Sequence, residues 1–280
     1  MFSNKTRRAG VRLMQYAALG LVCALFLFPL VWMLSYSLRA TSLPPPARLE
    51  FFVPPFAFEN YARLSEYMPL ARLTFNSLRI VVLAVPLTVL TASWAGFAIA
   101  QLPARWRAFL LTVCVALMLV PAVATWVPRF IFFTELGWAD TILPLLAPAV
   151  MGSSPFFVIL FALAFRRVPL EVYESAYLDG ANAVRIWWSV AMPLARPALI
   201  AVATLAAVFY WSNYIDPFLY LRTEENYTLP YGIQLLEMAQ QNNFPLLMAA
   251  AVLVVVPVLV MFLIAQRYFL QGNISERWLG

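Results

Sequence analysis

Six stretches of the chain, at 16–34, 80–100, 108–128, 141–165, 197–215 and 244–265, hold no charged residue and run for 19 to 25 residues each. A helix crosses the hydrocarbon core of a bilayer with about 20 apolar residues, within a range of about 17–25. Lipid offers the backbone no hydrogen-bond partners, so a spanning segment must close its own bonds as a helix or join a closed barrel. These runs are continuous and do not alternate, which disfavours a barrel. The expected fold is therefore all-α, a polytopic membrane protein with six transmembrane helices. Only 11% of the 280 residues are charged and 63% are hydrophobic. A soluble domain has about 25% charged residues, so an ordinary soluble enzyme and a disordered chain are both excluded.

The basic residues give the orientation. With the N-terminus inside, the inner segments hold 12 of the 19 Lys and Arg, and five of the seven outer ones fall in the first outer loop. Both termini are then expected in the cytoplasm, and the net charge of +6 reflects inner loops and not a nucleic-acid surface. The run 16–34 follows a basic start but exceeds the apolar core of a signal peptide, so it reads as a retained first span. The expected division is 1–79 for the tail, first span and outer loop, 80–269 for the core with an inner loop at 166–196, and 270–280 for a cytoplasmic tail. Prolines 44–46, 54 and 55 make the first half of the outer loop read as extended. Pro144, Pro148, Gly152 and Pro155 suggest that the fourth stretch has a broken outer part before a regular helix ending near Phe165.

The chain has no His, which removes imidazole bases and the commonest metal ligand. Its two cysteines, Cys23 and Cys114, lie in apolar runs and read as buried free thiols. No metal site and no bound cofactor are expected. With no charge in any span there is no convergent acid–base set for a membrane-embedded enzyme, and no intramembrane acidic residue of the kind that couples ions in secondary transporters. No G-x-x-x-x-G-K-[ST] segment occurs, so the chain is not expected to bind ATP in that way.

The inner loop 166–196 is too charged to cross a membrane, yet it is patterned. Pro169 suits a helix start, and Glu171, Glu174 and Leu178 recur at helical spacing. Gly180 permits a tight or left-handed turn. A second helix over 181–192 follows, with Ile186, Trp187, Val190 and Ala191 as its apolar stripe, and Pro193 and Pro197 bend the entry to the fifth span. On periodicity alone this is an amphipathic interfacial segment. The same hairpin leaves Glu174 and the small residues near the turn open to a partner.

The run Glu174-Ser175-Ala176-Tyr177-Leu178-Asp179-Gly180-Ala181, followed after eleven residues by Pro193, resembles the EAA loop of ABC-importer permeases. Ser175 stands where that family has Ala. Phe28-Pro29-Leu30-Val31-Trp32-Met33, Asn60-Tyr61, Asn76-Ser77-Leu78, Thr228-Leu229-Pro230-Tyr231-Gly232 and Gln266-Arg267-Tyr268-Phe269 resemble, in the same order, markers of the carbohydrate subgroup of the maltose-permease G-subunit type. The resemblance covers about residues 28–272. It implies a type I permease fold and one half of a pore in a bacterial or archaeal cytoplasmic membrane. The implied partners are a second permease subunit, a dimer of ABC ATPases that binds the ATP and Mg, an extracytoplasmic solute-binding protein, a sugar or oligosaccharide, and membrane lipid. It also implies that Glu174, Ser175, Ala176, Asp179, Gly180 and Ala181 couple the chain to the ATPase, and that the chain is no enzyme itself. A polyol or a glycerol-phosphate is the alternative solute, and a secondary transporter is the alternative of a different class.

Phe209, Tyr210, Trp211, Asn213, Tyr214 and Asp216 crowd the outer end of the fifth span. Aromatic faces with a few polar groups suit a sugar pathway. An interfacial aromatic belt accounts for the Trp and Tyr as readily, though not for Asn213.

Overall fold

The computed structural model describes residues 3–41, 43, 48–150 and 154–275. Pro44, Pro45, Pro46, Gly152 and the tail from 276 lie outside the described residues. Among the described residues the chain is helical, and its one β-type pairing is an isolated bridge between Arg39 and Phe56. Its contacts divide it into two units, 1–69 with 235–255 and 70–234 with 256–280.

In the first unit, α1 (Ser3–Ser37) is the first apolar run extended at both ends. None of its most apolar window is buried by the rest of the chain. Its end is closed by a short helix, α2 (Glu59–Tyr67), within the segment that the sequence predicts as loop. The fully buried Asn60 donates from Nδ2 to the carbonyls of Ser37 and Arg39, at 2.8 and 2.9 Å. These carbonyls lie at the end of a helix, where the chain itself supplies no donor. The Ser37 and Tyr61 hydroxyls meet at 2.7 Å, and Arg39 pairs with Glu50 at 3.0 Å.

The second unit is built on α3 (Leu70–Gln101), which starts ten residues before the charge-free run at 80. It packs against α6 (Leu143–Val150), α7 (Pro155–Arg166) and α11 (Arg196–Ser212). A Cβ added to Gly96 would stand 2.6 Å from the Phe161 Cβ and 2.9 Å from the Ala162 nitrogen, so only glycine lets α3 and α7 approach this closely. Phe161, Ala162 and Phe165 are buried behind it.

Two of the expected straight spans are bent. The run 108–128 is not one helix. It divides into α4 (Ala104–Met118) and α5 (Ala122–Glu135), which meet at 88° around Pro121. Proline there supplies no N–H to continue the ladder, and its ring excludes the preceding turn. The fifth span enters through a sharp elbow of 86° between 183–194 and α11. Among the described residues four helical stretches are long and apolar enough to cross a membrane, and up to six if each bent pair counts as one span. The last is α14 (Phe244–Ser275).

Several short motifs that are distant in sequence meet in this unit. Asn76 Nδ2 donates to the carbonyls of Glu225 and Tyr227 at 2.8 and 2.9 Å. Ser77 Oγ accepts the N–H of Leu229, the first residue of α13 (Leu229–Ala239), at 2.9 Å. Gly232 faces Leu73 so closely that a Cβ would lie 2.5 Å from its Cδ1.

Candidate functional site

The loop 166–196 folds as the pattern predicts. Pro169 sits at the N-cap of α8 (Leu170–Leu178). After it Gly180 turns the chain at φ +78°, a region that costs an L-residue about 1–2 kcal/mol. The Ala181 N–H reaches back to the Ala176 carbonyl at 3.1 Å and closes the turn. Asn182 then caps α9 (Ala183–Ile186) by accepting the Arg185 N–H at 2.9 Å. The helix widens into a π-turn over Trp187–Ala191 and returns to α-form in α10 (Met192–Leu194), so the expected continuous helix carries a bulge. Such bulges recur at functional places.

Both roots of this hairpin are fixed to the core. Tyr173 is buried against Phe97 and donates its hydroxyl to the Phe165 carbonyl at 3.0 Å. Burial pushes its phenol up to about 12. On the other arm Ile186 and Trp187 are buried, and Trp187 lies 5.5 Å from Trp94.

The tip is open. Glu174, Ser175, Asp179 and Gly180 are exposed, while Ala176 and Ala181 are half-buried inside the turn. Glu171, Glu174 and Asp179 make no ion pair among the described residues. Leu178 is 89% exposed and Val184 62%, with Tyr177 also outward. A projecting knuckle with an apolar crest and unpaired carboxylates lacks its complement among the described residues. The sequence reading placed Leu178 on the Glu171–Glu174 face, but Val184 was missed. Its exposure depends on how Asn182 resets the second helix, and no apolar period shows that.

At the C-terminal end of the fifth span the candidate residues separate. Tyr210 and Trp211 are buried inside the unit, with the Tyr210 hydroxyl 3.2 Å from Thr88 Oγ1. Tyr214 is 42% exposed. Asn213 Nδ2 donates to Asp216 Oδ2 at 2.7 Å and its Oδ1 accepts the Asp216 N–H, shaping the start of α12 (Ile215–Tyr220). Asp216 is buried and pairs with Arg129 of α5 at 3.2 Å, while the Arg129 guanidinium lies 5.8 Å from the Tyr220 ring centre. Sequence reading missed Arg129, counting it only as an outer-loop charge. The available signal was a cation next to Pro128 at the end of an apolar run, which needs an anion from elsewhere.

A second lock is centred on Asp140, whose backbone is left-handed at φ +58°. Its Oδ1 accepts the N–H groups of Arg222 and Thr223 at 2.9 and 3.1 Å and Asn226 Nδ2 at 3.2 Å. Partial burial works against the charge, but the hydrogen bonds from Arg222, Thr223 and Asn226 outweigh it and bring the carboxyl to about 2. Among the described residues no three Cys, Asp or Glu side chains converge to hold a metal ion.

Residues 84–274 match the family model of the binding-protein-dependent transport system inner membrane component. The chain is 26% identical over 270 residues to the lactose transport system permease protein LacG of Rhizobium radiobacter, covering 96% of this chain and 97% of that one. It is 29% identical over 254 residues to the arabinooligosaccharides transport system permease protein AraQ of Bacillus subtilis, covering 89% of each. Its fold is similar to that of a bacterial ABC transporter involved in the import of the acidic polysaccharide alginate. That match has a TM-score of 0.75 at 22% identity over 96% of this chain and 99% of the other.

Proposed function

Given that the chain belongs to the family of binding-protein-dependent transport system inner membrane components, we propose that it carries a sugar or oligosaccharide and is driven from outside itself through the knuckle at 169–181. It is a membrane-spanning permease of an ABC importer and forms part of the path of its solute. The relatives named for lactose and for arabinooligosaccharides match over nearly their whole length, which supports a saccharide as that solute.

ATP hydrolysis then belongs to a pair of separate ATPase subunits, which hold the nucleotide and its magnesium. A second permease completes the pore and an extracytoplasmic binding protein delivers the sugar. Both termini lie in the cytoplasm, so the knuckle faces the ATPase. Glu174, Asp179 and the crest formed by Tyr177, Leu178 and Val184 enter a groove on it, where Ser175, Ala176, Gly180 and Ala181 allow close approach. Tyr210, Trp211 and Asp216 support the outer end of the pathway from behind, whereas Tyr214 and Asn213 are placed to touch what passes.

The single observation that carries this reading is the open tip on two fixed roots, because a lever needs a free end and a stiff mounting. The test is reconstitution in proteoliposomes with the partner permease, ATPase and binding protein. Glu174→Lys is expected to insert normally and to lower sugar uptake at least about tenfold, in line with the about 2–5 kcal/mol lost when a docked charge loses its partner. ATP hydrolysis should lose its response to the binding protein in parallel. Coupled uptake at the unmodified rate would overturn the proposal.

A further inference from the structure

A cleft of about 600 Å³ lies wholly within the first unit, between the end of α1 and the turn that joins α13 to α14. That volume falls inside the range of about 300–1,000 Å³ common to small-molecule sites. The wall carries the carboxamides of Gln240, Gln241, Asn242 and Asn243, the Thr41 hydroxyl and the Tyr36 ring.

Their hydrogen bonds are unspent. The Gln240, Gln241 and Asn242 side chains have no partner among the described residues, and Asn243 uses only its Oδ1, on the Leu246 N–H at 3.3 Å. Each carboxamide offers two donors and a doubly accepting oxygen. The cleft therefore presents donors and acceptors side by side, and its described lining has no Asp, Glu, Lys or Arg. A charged ligand would shed water there and gain no counter-charge. Neighbouring hydroxyls that each donate and accept fit this wall better. Phe244, 47% exposed at the rim, adds a flat apolar surface for the carbon face of a ring.

We infer that this cleft is a binding site for a neutral saccharide, held by the carboxamides of residues 240–243. The inference rests on the solute class and orientation proposed above, which put the cleft on the outer side of the membrane. It adds a preference that those do not contain, for uncharged over acidic sugars.

The experiment uses the full chain in lipid nanodiscs with no ATPase present, titrated with lactose, raffinose, maltotriose and the acidic trigalacturonate under saturation-transfer NMR. Saturable contact with at least one neutral sugar is expected, with trigalacturonate at least about tenfold weaker. Q241A with N242A, both at exposed positions, should leave the fold intact and raise the dissociation constant about tenfold or more. Three outcomes overturn the inference: no saturable neutral sugar, acidic sugar bound equally well, or binding unchanged in the double variant. If any of them occurs while ATP-coupled sugar uptake stays normal, the cleft assignment fails and the permease reading stands. Unaltered uptake in Glu174→Lys would have the opposite meaning.

Discussion

Replacing Gly96 by Ala puts one methyl group into the closest helix contact of the second unit. The new carbon would stand 2.6 Å from the Phe161 Cβ, 2.9 Å from the Ala162 nitrogen and 3.0 Å from the Val158 carbonyl oxygen. Carbon atoms settle at about 3.5–4.0 Å, so α3 and α7 must part by about 1 Å. The blocking atoms belong to backbone or to a Cβ, so no rotamer change relieves them. Overpacking of this kind costs about 1–3 kcal/mol. For a chain of this size each kcal/mol lowers the midpoint by about 2–4 °C, giving a fall of about 2–12 °C. Thermal unfolding in one detergent at one scan rate reads it, with Gly20→Ala in α1 as control, since nothing lies within 4 Å of Gly20. The control should melt at or slightly above the wild-type temperature, because alanine favours helix by about 1 kcal/mol. If Gly96→Ala melts with the control, glycine is not what sets the α3–α7 distance and the reasoning fails.

Asn60→Ala strands the carbonyls of Ser37 and Arg39 in a buried place and should cost about 1–3 kcal/mol, seen as a lower midpoint in the same assay. At the Arg129–Asp216 pair, Asp216→Asn alone leaves a half-buried cation unpaired. A double-mutant cycle with Arg129→Gln should show a coupling of about 0.5–3 kcal/mol, and strict additivity would refute the pairing. The Asp140 carboxyl, at about 2 when folded against an ordinary 3.8, stabilises the loop above pH about 4 and loses that contribution as the pH falls towards 2. Hydrogen exchange at Arg222 and Thr223 should follow this in the wild type, and Asp140→Ala should remove both the protection and its pH dependence.

Much of the inner hairpin was readable because its punctuation is local. Pro169 starts a helix, Gly180 takes a positive φ and the Pro193–Pro197 pair bends the entry to α11, and each acts through its own backbone. The spans were readable for the same reason, since apolar length is a property of one segment. What failed depends on partners far along the chain. The 88° corner at Pro121 falls in a run as apolar as its neighbours, and nine other prolines stand in the six charge-free runs, so a proline alone does not mark such a corner. Asn60, Asn76 and Ser77 stood out in sequence only as family markers. Their physical role is to donate to or accept from backbone 21 to 152 residues away. Arg129 read as an ordinary outer charge and Asp216 as a candidate pathway residue, and neither pattern shows the pair that folding makes by joining α5 to α12.

The two buried mountings of the knuckle, Tyr173 on one arm and Ile186 with Trp187 on the other, carry a mechanical corollary. A short rod clamped at both feet does not flop when its apex is pushed. Under the proposed coupling it is expected to turn as a crank, with the 86° corner at the start of α11 converting a sideways stroke at the apex into tilt of the fifth span. Slack inserted at either clamp would let the apex travel while that span stood still.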